Sequence, residues 1–101
     1  MIYYIDVKLK GFSFMWTVKI KKKAVKNLDR LPKNIKQLFF LLLEDLKKDG
    51  PVQPTWMNYS KLGDGDYHCH LNYRYVACWK ANKEMITIEV YYAGSRENAP
   101  Y

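Results

Sequence analysis

The sequence is short of several things, and each shortage narrows what the protein can be. Only two cysteines, Cys69 and Cys78, occur among its 101 residues. That is too few for a disulfide framework, so stability must come from a core, and the thiols suit a reducing compartment. No apolar run reaches the ~18 residues needed to cross a bilayer as a helix. The opening stretch MIYYIDVKLKGFSF has neither a basic leader nor a small-residue cleavage site, which argues against a signal peptide. A cytoplasmic protein with no membrane partner is expected. Internal repeats and low-complexity segments are absent too, and a chain of this length holds one modest core. Acidic residues are scarce: 10 Asp and Glu stand against 17 Lys and Arg, for a formal charge of +7. Residues 1 to 50 carry 12 basic and 5 acidic side chains, whereas residues 51 to 101 carry 5 of each. All the excess therefore lies in the first half. Such a field favours encounter with phosphates or an acidic surface, the plainer alternative being a solvated basic face.

What is present is apolar and aromatic. Hydrophobic residues make up 49% and aromatics 16% of the chain, enough for burial to offset the entropy of ordering. Trp16, Val18 and Ile20 alternate with Thr17, Lys19 and Lys21, the period-two pattern of a half-buried strand. The domain is read as residues 15 to 101, with Met15 as an alternative start. Residues 1 to 14 are then an extension, either flexible or added to the sheet through Ile5, Val7 and Leu9. From Lys22 the period becomes helical, with Ala24, Val25, Leu28 and Leu31 on one side. Pro32 opens a second helix whose apolar positions are Ile35, Leu38, Phe39, Leu42 and Leu46. Gly50 and Pro51 end it. Because Phe40, Leu41 and Leu43 exceed one stripe, this helix is expected to be wedged and buried on much of its circumference, or else covered by a partner. Residues 51 to 66 read as a long loop. Strands are expected over Tyr67 to Leu71, Arg74 to Lys80 and Met85 to Ala93, joined by short turns. The order predicts an α+β fold: an N-terminal strand and two helices on one face of a mostly antiparallel sheet completed by three C-terminal strands.

Within DYHCHLNYRYVACWK, strand alternation sends Tyr67, Cys69 and Leu71 to the helix-covered side and His68 and His70 to the open side. A strand pair of this kind can chelate zinc, but a catalytic zinc needs a third protein ligand and a structural one a fourth. Cys69 points away, and Asp64 or Asp66 would have to be brought in by loop folding. No metal and no cofactor is therefore expected. Arg74 opens the next strand, Arg96 follows the last one, and Tyr101 comes five residues later. If the strands are adjacent, these groups converge with the histidines on one face. Histidine titrates near neutrality and arginine grips phosphate through a planar fork, so the set suits RNA cleavage by its own 2′-hydroxyl. Plainer readings stand beside this one: solvated histidines, arginines paired with Glu89 or Glu97, a Tyr101 that packs, and tryptophans Trp16, Trp56 and Trp79 in the core or its rim.

In order and spacing, WTVKIKKKAVKNLDRLP, the KLGDG turn, the hairpin YHCHLNYRYVACW and the ending IEVYYAGSRENAPY resemble the RelE/ParE superfamily of toxins from bacterial type II toxin–antitoxin modules, in its RelE-like branch. The resemblance covers about Met15 to Tyr101. It implies a metal-independent, ribosome-dependent mRNA endoribonuclease (an mRNA interferase) that inhibits translation and is neutralised by a small antitoxin in a hetero-oligomer. It further implies a catalytic set of His68, His70, Arg74, Arg96 and Tyr101, with Lys61 at a basic position that contacts nucleic acid. Lys22, Lys23 and Lys26 would meet ribosomal RNA through its phosphates. The chain departs from the family in having histidines where the best-known members have lysines, which changes both charge and pH response. The alternative of a different class is a non-catalytic binding module, either a gyrase inhibitor of the ParE branch or an inactive relative whose partner is the antitoxin.

Overall fold

The computed structural model describes residues 15–101, and the extension expected at residues 1–14 lies outside them. The elements run β1 (Thr17–Ile20), α1 (Lys22–Leu28), α2 (Lys33–Asp49), β2 (Ser60–Gly63), β3 (Asp66–His70), β4 (Tyr75–Asn82) and β5 (Thr87–Ser95), followed by a 3-10 turn at Arg96–Asn98. The five strands form one sheet in the order β1-β5-β4-β3-β2. The β1–β5 pair is parallel and the other three pairs are antiparallel. This is the α+β arrangement that the patterning predicts, with one strand more than expected.

One face of the sheet carries the core. Ile35, Phe39, Leu42 and Leu46, the buried stripe of α2, pack on Tyr67 and Cys69 of β3, Ala77 and Trp79 of β4, and Ile88, Val90 and Ala93 of β5. Trp79, fully buried, donates its indole N–H to the Pro51 carbonyl at 3.0 Å. Its ring stacks on Tyr67, and Tyr67 stacks on Tyr59, with centroids 6.2 and 6.1 Å apart. Offset stacking of this kind adds ~0.5–1.5 kcal/mol per pair to the burial itself. Trp16 and Trp56 lie at the rim, half-buried. Gly50 ends α2 at φ +88, and a Cβ there would stand 2.7 Å from the Trp16 indole nitrogen. Both conformation and space therefore require glycine.

Three local expectations change. The stretch 51–66 is not wholly irregular: Ser60–Gly63 pairs with β3, and the tight return runs through Gly65 at φ +71. Residues 51–59 are ordered against α2, where the Gln53 side chain donates to the carbonyls of Asp45 and Gly50 at 3.0 and 2.8 Å, and Trp56 donates to the Asp45 carboxylate at 2.9 Å. The last strand begins at Thr87 rather than Met85, because Ile86 takes φ +53 and turns the chain into register. Finally, α2 is not buried all round. Phe40 and Leu41 stay more than half exposed, as expected for a helix packed on one side only.

α1 begins with no capping side chain and no acidic residue in its first turn, while Lys21, Lys22 and Lys23 crowd its positive end. Cations there oppose the helix dipole. Lys22→Glu is expected to raise the melting temperature by roughly 2–8 °C, since a helix-end charge is worth ~0.3–1 kcal/mol and ~1 kcal/mol moves a domain of this size by ~4–8 °C. Thermal unfolding followed by circular dichroism checks this, and an unchanged midpoint would show that the lysines cost nothing.

Candidate active site

The register of β3 against β4 sets the site. His68 pairs with Cys78 and His70 with Val76, and Cys78 pairs in turn with Tyr92 of β5. Strand alternation places all of these on the face away from α2. The expected division of β3 holds, with Cys69 in the core and the histidines opposite. They are not solvated, however, and each is only 8% exposed. The Tyr101 ring packs on His68, centroid to centroid 4.5 Å, and the His70 ring meets His68 edge-on at 5.7 Å. The Met57 carbonyl accepts the His70 backbone N–H at 2.8 Å, closing the β3 edge beside it.

The two arginines are brought together by the backbone. The Asn72 side-chain oxygen accepts the N–H groups of Arg74 and Tyr75 at 2.7 and 3.0 Å, an Asx turn that fixes where Arg74 leaves the chain. The Arg96 N–H then donates to the Arg74 carbonyl at 2.7 Å. Both arginines border one hollow of about 430 Å³, together with Tyr73, Tyr75, Ser95 and Glu97. Pairing of the arginines with Glu89 or Glu97 is not found. Among the described residues the only ion pair joins Lys47 to Glu44 at 3.5 Å, so neither arginine is held in a salt bridge, although Glu97 borders the same hollow. From Arg96 the chain makes a short turn, with the Ser95 hydroxyl accepting the Asn98 N–H at 3.3 Å. The Tyr92 hydroxyl braces it by donating to the Ser95 carbonyl at 2.6 Å. This turn carries the tail back across the sheet, so that Tyr101 reaches His68.

The electrostatics sort the groups. Burial pushes the His68 pKa below the ordinary histidine value, the nearby His70 adds to the shift, and hydrogen bonding at Ser60 acts against it. His68 is therefore neutral at pH 7. Burial raises the Tyr101 pKa, with Cys78 contributing and Arg96 opposing, so its hydroxyl keeps its proton. Cys69 and Cys78 are both pushed up to about 12 by burial and are unreactive thiols at neutral pH. At the far end of the same face the Tyr91 hydroxyl donates to Asp66 at 2.6 Å. Burial and that bond raise the Tyr91 pKa strongly.

Sequence reasoning missed Ser60. Its hydroxyl lies 3.1 Å from His68 Nδ1, which occupies that nitrogen, while Nε2 has no hydrogen-bond partner among the described residues. Nothing in the local sequence points to it, because the contact exists only through the β2–β3 register that places Ser60 opposite His68. Lys61, the next residue, faces the other way. It sits 6.0 Å over the Tyr67 ring and borders a separate hollow with Asp64 and Lys83, so it does not join the histidines. Lys22, Lys23 and Lys26 are exposed on α1, and Lys23 borders a hollow that also touches Tyr92 and Pro100. Among the described residues no three His, Cys, Asp or Glu side chains are grouped so as to hold a metal ion.

A buried neutral histidine makes stability pH-dependent. Since the folded pKa lies below the unfolded value of about 6.5, the unfolded chain binds more protons as pH falls through that value. The contribution is thus complete above about pH 6.5 and is lost progressively towards the lower folded pKa. Urea midpoints at pH 7.5 and pH 5 are expected to differ less for His68→Gln than for the wild type. Equal differences would mean that His68 is not held neutral by the fold.

No protein-family model matches the chain, and no curated protein matches it. Solved structures do. A chain of the archaeal RelE–RelB complex from Pyrococcus horikoshii OT3 superposes with a TM-score of 0.74 at 28% identity, covering 85% of this chain and 100% of that one. A metal-bound toxin from Helicobacter pylori gives 0.66 at 25% identity over 82% and 97% of the two chains. The YoeB–YefM complex from Staphylococcus aureus gives 0.63 at 13% identity over 78% and 94%, a likeness of fold alone. With its parallel β1–β5 pair, its two helices and its antiparallel β2–β5 run, the chain has the fold of the RelE/ParE toxin–antitoxin superfamily.

Proposed function

We propose that the protein is the toxin of a type II toxin–antitoxin module and acts as a ribosome-dependent, metal-independent mRNA endoribonuclease. The observation that carries this reading is the packing of Tyr101 on a neutral His68 beside His70, at the end of a tail whose first residue, Arg96, is bonded to the Arg74 backbone and shares a hollow with it. In the step we envisage, His68 Nε2 takes the proton from a ribose 2′-hydroxyl as that oxygen attacks the adjacent phosphorus. The O2′–P bond forms and the P–O5′ bond breaks, giving a 2′,3′-cyclic phosphate. His70, 5.7 Å from His68 between ring centroids, gives a proton to the departing 5′-oxygen. Arg74 and Arg96 hold the phosphate and stabilise the charge that builds on its oxygens. Tyr101, kept protonated, orients the nucleoside against His68. General acid–base groups of this kind are worth ~10²–10⁴ in rate, and a positioned electrostatic donor ~10²–10³.

A partner fits the rest of the surface. The exposed Phe40 and Leu41 on α2 support a protein that covers them, which for this fold is an antitoxin. Exposed Lys22, Lys23 and Lys26 suit contact with ribosomal RNA phosphates. A cytoplasmic location follows from an mRNA substrate, and among the described residues no helix is long and apolar enough to cross a membrane.

The test is primer extension on a defined mRNA in a purified translation system, with wild type beside His68→Ala, His70→Ala and Arg74→Ala. Cuts within the codon in the ribosomal A site are expected, with cleavage reduced at least ~10²-fold in each variant and far-ultraviolet circular dichroism unchanged. A folded wild type that leaves the mRNA intact would overturn the nuclease and favour a non-catalytic binding module, with gyrase supercoiling as the following assay.

A further inference from the structure

The hollow beneath Arg74 and Arg96 does not stand alone. It shares Tyr75 and Ser95 with a second hollow of about 290 Å³ that runs beside the end of α1 and is bordered by Arg30. This second hollow shares Asn27, Tyr92 and Asn98 with a third, of about 340 Å³, bordered by Lys21 and Lys23. The three therefore adjoin in series, leading from the arginines along the seam between α1 and the C-terminal tail. Five cations line the series, and Glu97 is the one carboxylate among its lining residues. Asp29 is the acidic neighbour of Arg30 in sequence, is exposed, and does not border the hollows. Tyr73, 79% exposed, borders the first hollow, and the half-buried Tyr92 borders the second and third, while the side chains of Asn27 and Asn98 make no hydrogen bond among the described residues and are free to meet a ligand.

From this we infer that the seam between α1 and the tail is a binding track for the single-stranded RNA that flanks the scissile phosphate, with Arg30, Asn27, Tyr92 and Asn98 as contact residues. The inference extends the nuclease reading and rests on it for the identity of the strand. Spaced cations that follow a backbone, with aromatic rings for bases to lie on, are what sequence-tolerant binding of single strands requires. The unpaired amides add groups that read base edges. An acidic peptide would use the cations but has no flat bases to set on the two rings, which is why the strand is preferred. Each hollow is near the lower end of the ~300–1,000 Å³ range of small-molecule pockets, so successive nucleotides, rather than one compact ligand, suit the series.

The experiment uses fluorescein-labelled 2′-O-methyl RNA of two, four, six and eight nucleotides, which this chemistry cannot cleave, with binding read by anisotropy against the full-length protein. Affinity is expected to climb with length until the series is filled. Arg30→Ser should weaken binding of the six-nucleotide probe several-fold and reduce the slope of log K against log salt by about 0.7, the value for one phosphate contact on a single strand. Asn98→Ala should weaken binding with the slope unchanged, whereas Lys48→Ser on α2 should leave both intact. No binding at any length, an Arg30→Ser protein indistinguishable from Lys48→Ser, or equal binding of a poly-glutamate probe would each overturn the track. The nuclease reading is judged separately by His68 and Arg74 variants on cleavable mRNA. Loss of cleavage there with unchanged probe binding in Arg30→Ser would remove the track and keep the nuclease.

Discussion

The register between β3 and β4 is the constraint from which the rest of the structure follows. Tyr67 opposite Trp79 and Cys69 opposite Ala77 commit one set of side chains to the core, and the period of two then leaves His68 and His70 no choice of face. A slip of one residue would bury both imidazoles under α2 and expose Tyr67 and Cys69. The large apolar area on Trp79, Tyr67 and Phe39, at or below 1% exposure, opposes that slip, so the same burial that stabilises the domain fixes the position of its titratable groups. β5 carries the scheme onward in spite of a bulge between Cys78 and Trp79. Tyr91 is the extra residue there, and its side chain is taken up by Asp66.

The site depends on keeping two kinds of group apart. The imidazoles are nearly enclosed, and the fold disfavours charge on His68. The guanidinium groups stand at an open hollow, where their charge is permanent and no carboxylate pairs with them among the described residues. Imidazole and guanidinium groups therefore occupy different surroundings, although Tyr101 is near enough to both that His68 packs against it and Arg96 influences its proton. The tail is the hinge of this arrangement, because Arg96 begins it and Tyr101 ends its path over the histidine.

Much of this was legible in the sequence. Helical periodicity located α2 to within a residue or so, alternation located β1, and strand-forming runs separated by short turns located β3 and β4. The H-x-H spacing alone put the two histidines on one face. What escaped had physical reasons. β2 reads SKLG, with no apolar alternation, because it is an edge strand largely exposed to water; its existence is decided by the partner and by the Gly65 turn. The near-burial of the histidines could not be read either, since Tyr101 reaches His68 only through the turn that carries the tail back across the sheet. Ser60 was invisible for the same cause. The unmatched state of Arg74 and Arg96 is likewise a fact of three dimensions: Glu97 is the adjacent residue to Arg96, yet it forms no ion pair.

The parallel pairing of β1 with β5 sets Thr17 beside Thr87 and Ile20 beside Val90, joining the two ends of the domain. During synthesis β1 emerges first but has no strand to join until β5 has left the exit tunnel, and contacts so distant in sequence are slow to close. Arg96 and Tyr101 lie beyond even β5. A chain grown only as far as β4 thus holds His68 without the Tyr101 ring that packs on it. The enclosure of His68 therefore waits on residues beyond the last strand rather than on the strand that carries it.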